Sequence, residues 1–90
     1  MDQTGLPGAD LIHAGLVDLA AGAVTTESLL VSIAAPRLRS LGFEFGAPIA
    51  DAELRLYALL SARFGSAAHG RYNALVRRVV SFQRAAQCAK

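Results

Sequence analysis

Apolar residues in the last third of the chain recur at helical steps. Tyr72, Leu75, Val79, Phe82 and Ala86 are spaced by 3, 4, 3 and 4, the interval at which side chains return to one face of an α-helix. The spacing predicts a helix over about 67–86. Val76 and Val80 widen its apolar arc to about 160°, enough to touch two neighbours. The seam lasts only two heptads, too short for a coiled coil. The helix must therefore find its partners in a compact body.

Earlier segments repeat the pattern with clear punctuation. A loose lead-in over 1–8 carries Gly5, Pro7 and Gly8. A first helix is predicted over 10–21, with Ile12, Gly15, Leu16, Leu19 and Ala20 on one face. Asp10 suits its start, as a cap or through the helix dipole, and Gly22 its end. Thr25 and Thr26 offer an N-cap for a second helix. Its buried stripe is Leu29, Leu30 and Ile33, with Ser28 and Ser32 facing away. Pro36 ends or kinks it, and a short continuation over 37–41 closes at Gly42. Residues 42–50 read as an extended connection that tucks one or both of Phe43 and Phe45 under the core. Three alternating residues make no sheet alone, although a second copy of the chain offers them a partner. A third helix over 51–64 starts at Asp51, which is expected to cap it. Leu56, Tyr57, Leu60 and Phe64 lie within one arc, flanked by Leu54 and Leu59, so this helix is expected to be the most buried. Gly65 ends it and Ser66 is expected to cap the last.

The fold class is therefore all-α, a compact four-helix bundle in a single domain over 1–90. Composition agrees. The 90 residues are 53% hydrophobic and 18% charged, with mean hydropathy +0.38, unlike a disordered tail. A chain this short buries only about 60–65% of its unfolded surface. With so many apolar residues, some should remain exposed after folding, and a two-fold homodimer is the usual resolution. Tyr72, Val79 and Phe82 are the candidate dimer face.

The single cysteine, Cys88, excludes a disulfide framework and a cysteine-ligated zinc site. Its free state fits a cytoplasmic compartment. No basic start with a following apolar run marks a signal peptide, and no apolar stretch is long enough for a membrane span. Alanine abundance and eight arginines against one lysine fit a bacterial, high-GC coding sequence.

The net charge of +2 hides a split. All seven acids lie in residues 1–53, opposed there by Arg37 and Arg39 alone. Residues 54–90 hold six arginines and Lys90 with no acid. On the last helix Arg71, Arg77, Arg78 and Arg84 fall opposite the apolar stripe. Arg71/Arg78 and Arg77/Arg84 are each about 10.5 Å apart along the axis. They are the candidate face for an acidic protein partner or a nucleic acid, whose phosphates arginine holds bidentately. They equally suit a solvated face, or pairing with the acidic half of the chain.

Other chemistries find less. The segment from Leu16 through Gly22 to Ile33 is helix, turn, helix. However, its second helix brings Glu27 and two serines where a DNA-reading helix brings basic or amide side chains. Arg63 and His69, six positions apart with Tyr72 beyond, resemble the signature of the HEPN-type ribonucleases. That resemblance implies a pair acting on RNA phosphates across a dimer interface. It covers ten residues. Phe64 stands where that signature has a polar residue, and Gly65 interrupts the helix between the pair. His13 has no second histidine near it, so a structural role is expected. No nucleophile elbow, carboxylate pair or phosphate-binding glycine loop is present. The expectation is thus a small non-enzymatic interaction or regulatory protein without cofactor or metal, acting as a homodimer through an apolar helix face. The alternative is a nucleic-acid-binding protein using the four arginines.

Overall fold

Thr25 shows how local chemistry starts a helix here. Its Oγ1 accepts from the Ser28 amide at 3.1 Å, and the Ser28 hydroxyl accepts from the Thr25 amide at 2.8 Å. This reciprocal capping box satisfies two amides that a helix start leaves without partners. The computed structural model describes residues 6–89, and among them all regular structure is helical. The helices are α1 (Ala9–Ala20), α2 (Thr26–Ile33), α3 (Ala35–Ser40), α4 (Ala52–Phe64) and α5 (Ala68–Ala89). One 3-10 turn, Gly65–Ala67, joins α4 to α5. α2 and α3 are the second helix and its short continuation, divided just ahead of Pro36, which sits in the first turn of α3. Gly22, Gly42 and Gly65 stand at helix ends with positive φ.

α1 packs on α2, α2 on α4 and α4 on α5, and α5 closes back on α1 and α2. The Cα radius of gyration is 12.7 Å, against about 12 Å for a single folded domain of this length. The fold is all-α, as the periodicity predicts.

α2, not α4, is the most buried helix. Five consecutive residues, Ser28 to Ser32, are buried, because α2 has α1, α3, α4 and α5 around it. α4 buries only the stripe Ala52, Leu56 and Leu60. Leu54, Tyr57 and Phe64 stay exposed, and Leu59 is half-buried.

The two serines expected outside are inside. Ser32 Oγ donates to the Ser28 carbonyl at 2.8 Å and accepts from the Ile49 amide at 2.9 Å. A hydroxyl can be buried when both its roles are filled, and here it also anchors the connection after α3. That connection carries no strand among the described residues. Phe43 meets Phe82 with ring centroids 5.8 Å apart, and Arg39 lies over the Phe45 ring at 4.9 Å.

Two expected caps are absent. Asp51 stands at the start of α4 with φ 54 and makes no capping hydrogen bond; a side-chain cap needs extended backbone at that position. The 3-10 turn takes Ser66 into itself. Asp10 lies inside the first turn of α1, and Gly8 precedes that helix in left-handed backbone. The described part of the lead-in, residues 6–8, is also held in place. The Leu6 carbonyl accepts from the Ala9 amide, and Gly8 is buried so close to the Arg78 carbonyl that a β-carbon would overlap it. Residues 1–5 of the lead-in, and Lys90, lie outside the described residues.

Candidate functional site

The four arginines of α5 are exposed but do not form one uniform face. Arg78 Nη2 donates to both carboxylate oxygens of Asp10, at 2.9 and 3.0 Å. This hydrogen bond holds the Asp10 carboxyl below its ordinary value. Arg71 lies over the Phe64 ring at 4.4 Å, a cation–π contact. Arg77 and Arg84 make no ion pair or hydrogen bond among the described residues. Half the basic face is therefore already held within the chain.

The expected dimer face of Tyr72, Val79 and Phe82 is corrected. Val79 is 5% exposed and Phe82 0%, because α5 turns this seam onto the other helices and the Phe43 ring. A second copy cannot reach them. Tyr72 is half-buried against Tyr57, with ring centroids 5.8 Å apart. Burial first, and the Glu53 charge second, push its phenol above the ordinary tyrosine value.

Among the described residues, three of the five exposed large apolar side chains belong to α4, the other two being Val17 and Val24. Leu54 is 74% exposed, Tyr57 41% and Phe64 38%. With Glu53 and Ser61 they share an arc of about 100° on the helix. α4 has apolar residues almost all round, so periodicity alone does not say which stripe turns inward. The stripe it buries is Ala52, Leu56 and Leu60, and α4 packs on both α2 and α5.

A second surface opens between α2–α3 and α5. Two adjoining clefts, of about 470 and 440 Å³, share Arg37, Val80, Gln83 and Arg84. Leu30, Ile33, Val76 and Val79 line the first, and Ser40, Leu41 and Gln87 the second. Among the described residues, no carboxylate lines either. Gln83 is only 8% exposed, yet its amide makes no hydrogen bond among the described residues and is not sealed from solvent. Sequence reading passed over Gln83 and Arg37. The available signal was a polar side chain inside the apolar arc of α5, between Val76 and Val79 on the helical wheel.

Arg63 and His69, the pair of the HEPN resemblance, go to different surroundings. Arg63 lines a small cleft with Thr25, Thr26 and Glu27. His69 lies edge-on to Tyr57 with centroids 6.5 Å apart, and its Nε2 is 3.2 Å from the Asn73 amide nitrogen. The 3-10 turn between them breaks the shared helix face. His13 is exposed on α1. Among the described residues, no three His, Cys, Asp or Glu side chains group closely enough to hold a metal ion. No described helix is long and apolar enough to cross a membrane.

No family model matches the chain, and neither does any curated protein or solved structure.

Proposed function

We propose that this is a small non-enzymatic helical interaction protein that acts as a homodimer, with α4 as the shared face. The observation that carries this reading is the exposed stripe of Leu54, Tyr57 and Phe64. Large apolar and aromatic side chains grouped on one surface mark interaction sites, and tyrosine and arginine are enriched at the centres of such interfaces.

The stripe is also complementary to itself. Leu54 and Phe64 are equally distant from Leu59, about 15 Å apart along the axis. Antiparallel packing of α4 on a second copy sets Leu54 of each chain against Phe64 of the other. The same arrangement brings Glu53 toward the Arg71 that lies on the opposite Phe64. A two-fold axis makes each of these contacts twice.

Light scattering after gel filtration tests this directly. The wild-type protein is expected near twice 9.4 kDa, and Leu54→Glu near the monomer mass with its helical circular dichroism intact. Wild-type protein that stays monomeric at high concentration, or a Leu54→Glu variant that stays dimeric, overturns the proposal. Arg78 and Arg71 are held within the chain, which weakens the nucleic-acid alternative. A monomeric protein whose RNA or DNA affinity falls steeply with salt and with Arg77→Gln replaces the dimer reading with that one.

A further inference from the structure

The clefts between α2–α3 and α5 have an uneven chemistry that no part of the fold requires. One end is apolar, with Ile33, Val76 and Val80 half-buried over Leu30. The other holds two arginines from different helices, Arg37 and Arg84, neither with a partner among the described residues. Between them lies Gln83, 8% exposed, whose amide makes no hydrogen bond among the described residues and faces the solvent of the cleft. A polar side chain this enclosed is normally bonded to protein or water, and no described residue bonds this one. Here its donor and acceptor remain available to whatever enters.

We propose that this cleft binds a free anionic amphiphile: one medium-length acyl chain bearing a single carboxylate. The chain lies on Ile33, Val76 and Val80, and the carboxylate sits between Arg37 and Arg84 and accepts from the Gln83 amide. The dimensions fit. Each cleft volume falls within the range of about 300–1,000 Å³ usual for small-molecule sites. From Val76 to Arg84 the cleft runs about 12 Å along α5, the scale of a medium acyl chain. The charge also fits. Both guanidinium groups are cationic at any working pH, and among the described residues no acid lines the cleft to oppose them. A mostly apolar pocket with a few convergent polar groups is the usual form of a ligand site.

The dimer reading is separate, because Leu54, Tyr57 and Phe64 line neither cleft. Isothermal titration with decanoate, kept below its micelle concentration, tests the proposal on the full chain. Decanoate is expected to bind one per chain. Decanol, with the same tail and no charge, and acetate, with the same charge and no tail, are each expected to bind at least about tenfold more weakly. Arg37→Gln and Arg84→Gln are both surface changes that leave the helices intact, and each is expected to lower decanoate affinity about tenfold. Gln83→Leu, which keeps the apolar packing, is expected to lower it by less. Leu54→Glu is expected to leave it unchanged.

Equal binding of decanol and decanoate overturns the proposal, and so does affinity indifferent to both arginine changes. Binding of anionic phospholipid vesicles without binding of free decanoate overturns it in favour of a membrane surface. Capture of an acidic helical peptide without decanoate binding overturns it in favour of a protein partner.

Discussion

Gly15 of α1 lies so close to the Glu27 carbonyl of α2 that a β-carbon at Gly15 would overlap both that oxygen and Val31 Cγ2. The first two helices approach one another at backbone range there. This contact predicts a reversal of the usual helix rule. In an open helix, glycine to alanine gains about 1 kcal/mol. Gly15→Ala must instead push α1 from α2, and overpacking of this kind costs about 1–3 kcal/mol. Gly70 in α5 supplies the contrast, since nothing lies within reach of a β-carbon there. Gly70→Ala is expected to raise the thermal midpoint by a few degrees and Gly15→Ala to lower it. Thermal unfolding followed by circular dichroism separates the two signs.

Ser32 holds the connection after α3 through one hydroxyl. It accepts from the Ile49 amide, 17 positions along, while donating within α2. Ser32→Ala removes both bonds and leaves the Ile49 amide without its partner, a loss of about 1–2 kcal/mol. Ser32→Thr keeps the hydroxyl and is expected to retain the Ile49 bond. Hydrogen exchange gives the sharper readout. In Ser32→Ala the Ile49 amide is expected to exchange much faster, while the α2 amides keep most of their protection.

The pH profile should show two limbs with separate owners. The folded value of Asp10 is lowered by the Arg78 hydrogen bond. Its contribution is therefore present above the unfolded carboxylate range and is lost as pH falls through the lower folded value. Tyr72 is the opposite case. Burial, then the Glu53 charge, raise its folded value. Its neutral phenol gives full stability below the unfolded value near 10, lost as pH rises through the higher folded value. Urea midpoints across pH should show Asp10→Asn flattening only the acid limb and Tyr72→Phe only the alkaline one. Salt should shrink the acid effect, because the Asp10–Arg78 pair is exposed.

Particular residues show where sequence alone was enough. Pro36, Gly42 and Gly65 act through their own backbone chemistry and Thr25 through a hydroxyl that caps an amide three positions on, so their roles can be read from the local sequence. Ser32 cannot be read that way, because its burial depends on an amide 17 positions on. The α5 seam was visible, but its occupant was not. A row of apolar side chains looks the same whether its partner is another helix of the chain or another molecule. Leu54 and Tyr57 were misplaced for a related reason. α4 is apolar on several sides, and the choice of inward stripe is made by the helices it packs on, α2 and α5. Gln83 could have been found as a polar residue inside an apolar arc, whereas Arg37 joins it only through the turn at Ala34.

Phe82 and Leu54 give the decisive pair for that distinction. Phe82 has no exposed surface and meets the Phe43 ring. Removing a buried aromatic side chain costs about 3–5 kcal/mol, against a total of about 5–15 kcal/mol for a typical domain. Phe82→Ala is therefore expected to leave the protein partly or wholly unfolded at room temperature. Phe82→Leu, which leaves a smaller cavity, is expected to fold with a lower urea midpoint. If Phe82 were instead part of a dimer face, Phe82→Ala would give a well-folded monomer. Leu54 makes the opposite prediction. Its side chain stands mostly in solvent, so Leu54→Ala should change the urea midpoint of the isolated monomer by little. Any larger effect of Leu54→Ala should depend on protein concentration, because a dimer contact stabilises the fold by mass action. Urea unfolding of both variants at two widely separated concentrations reads each outcome.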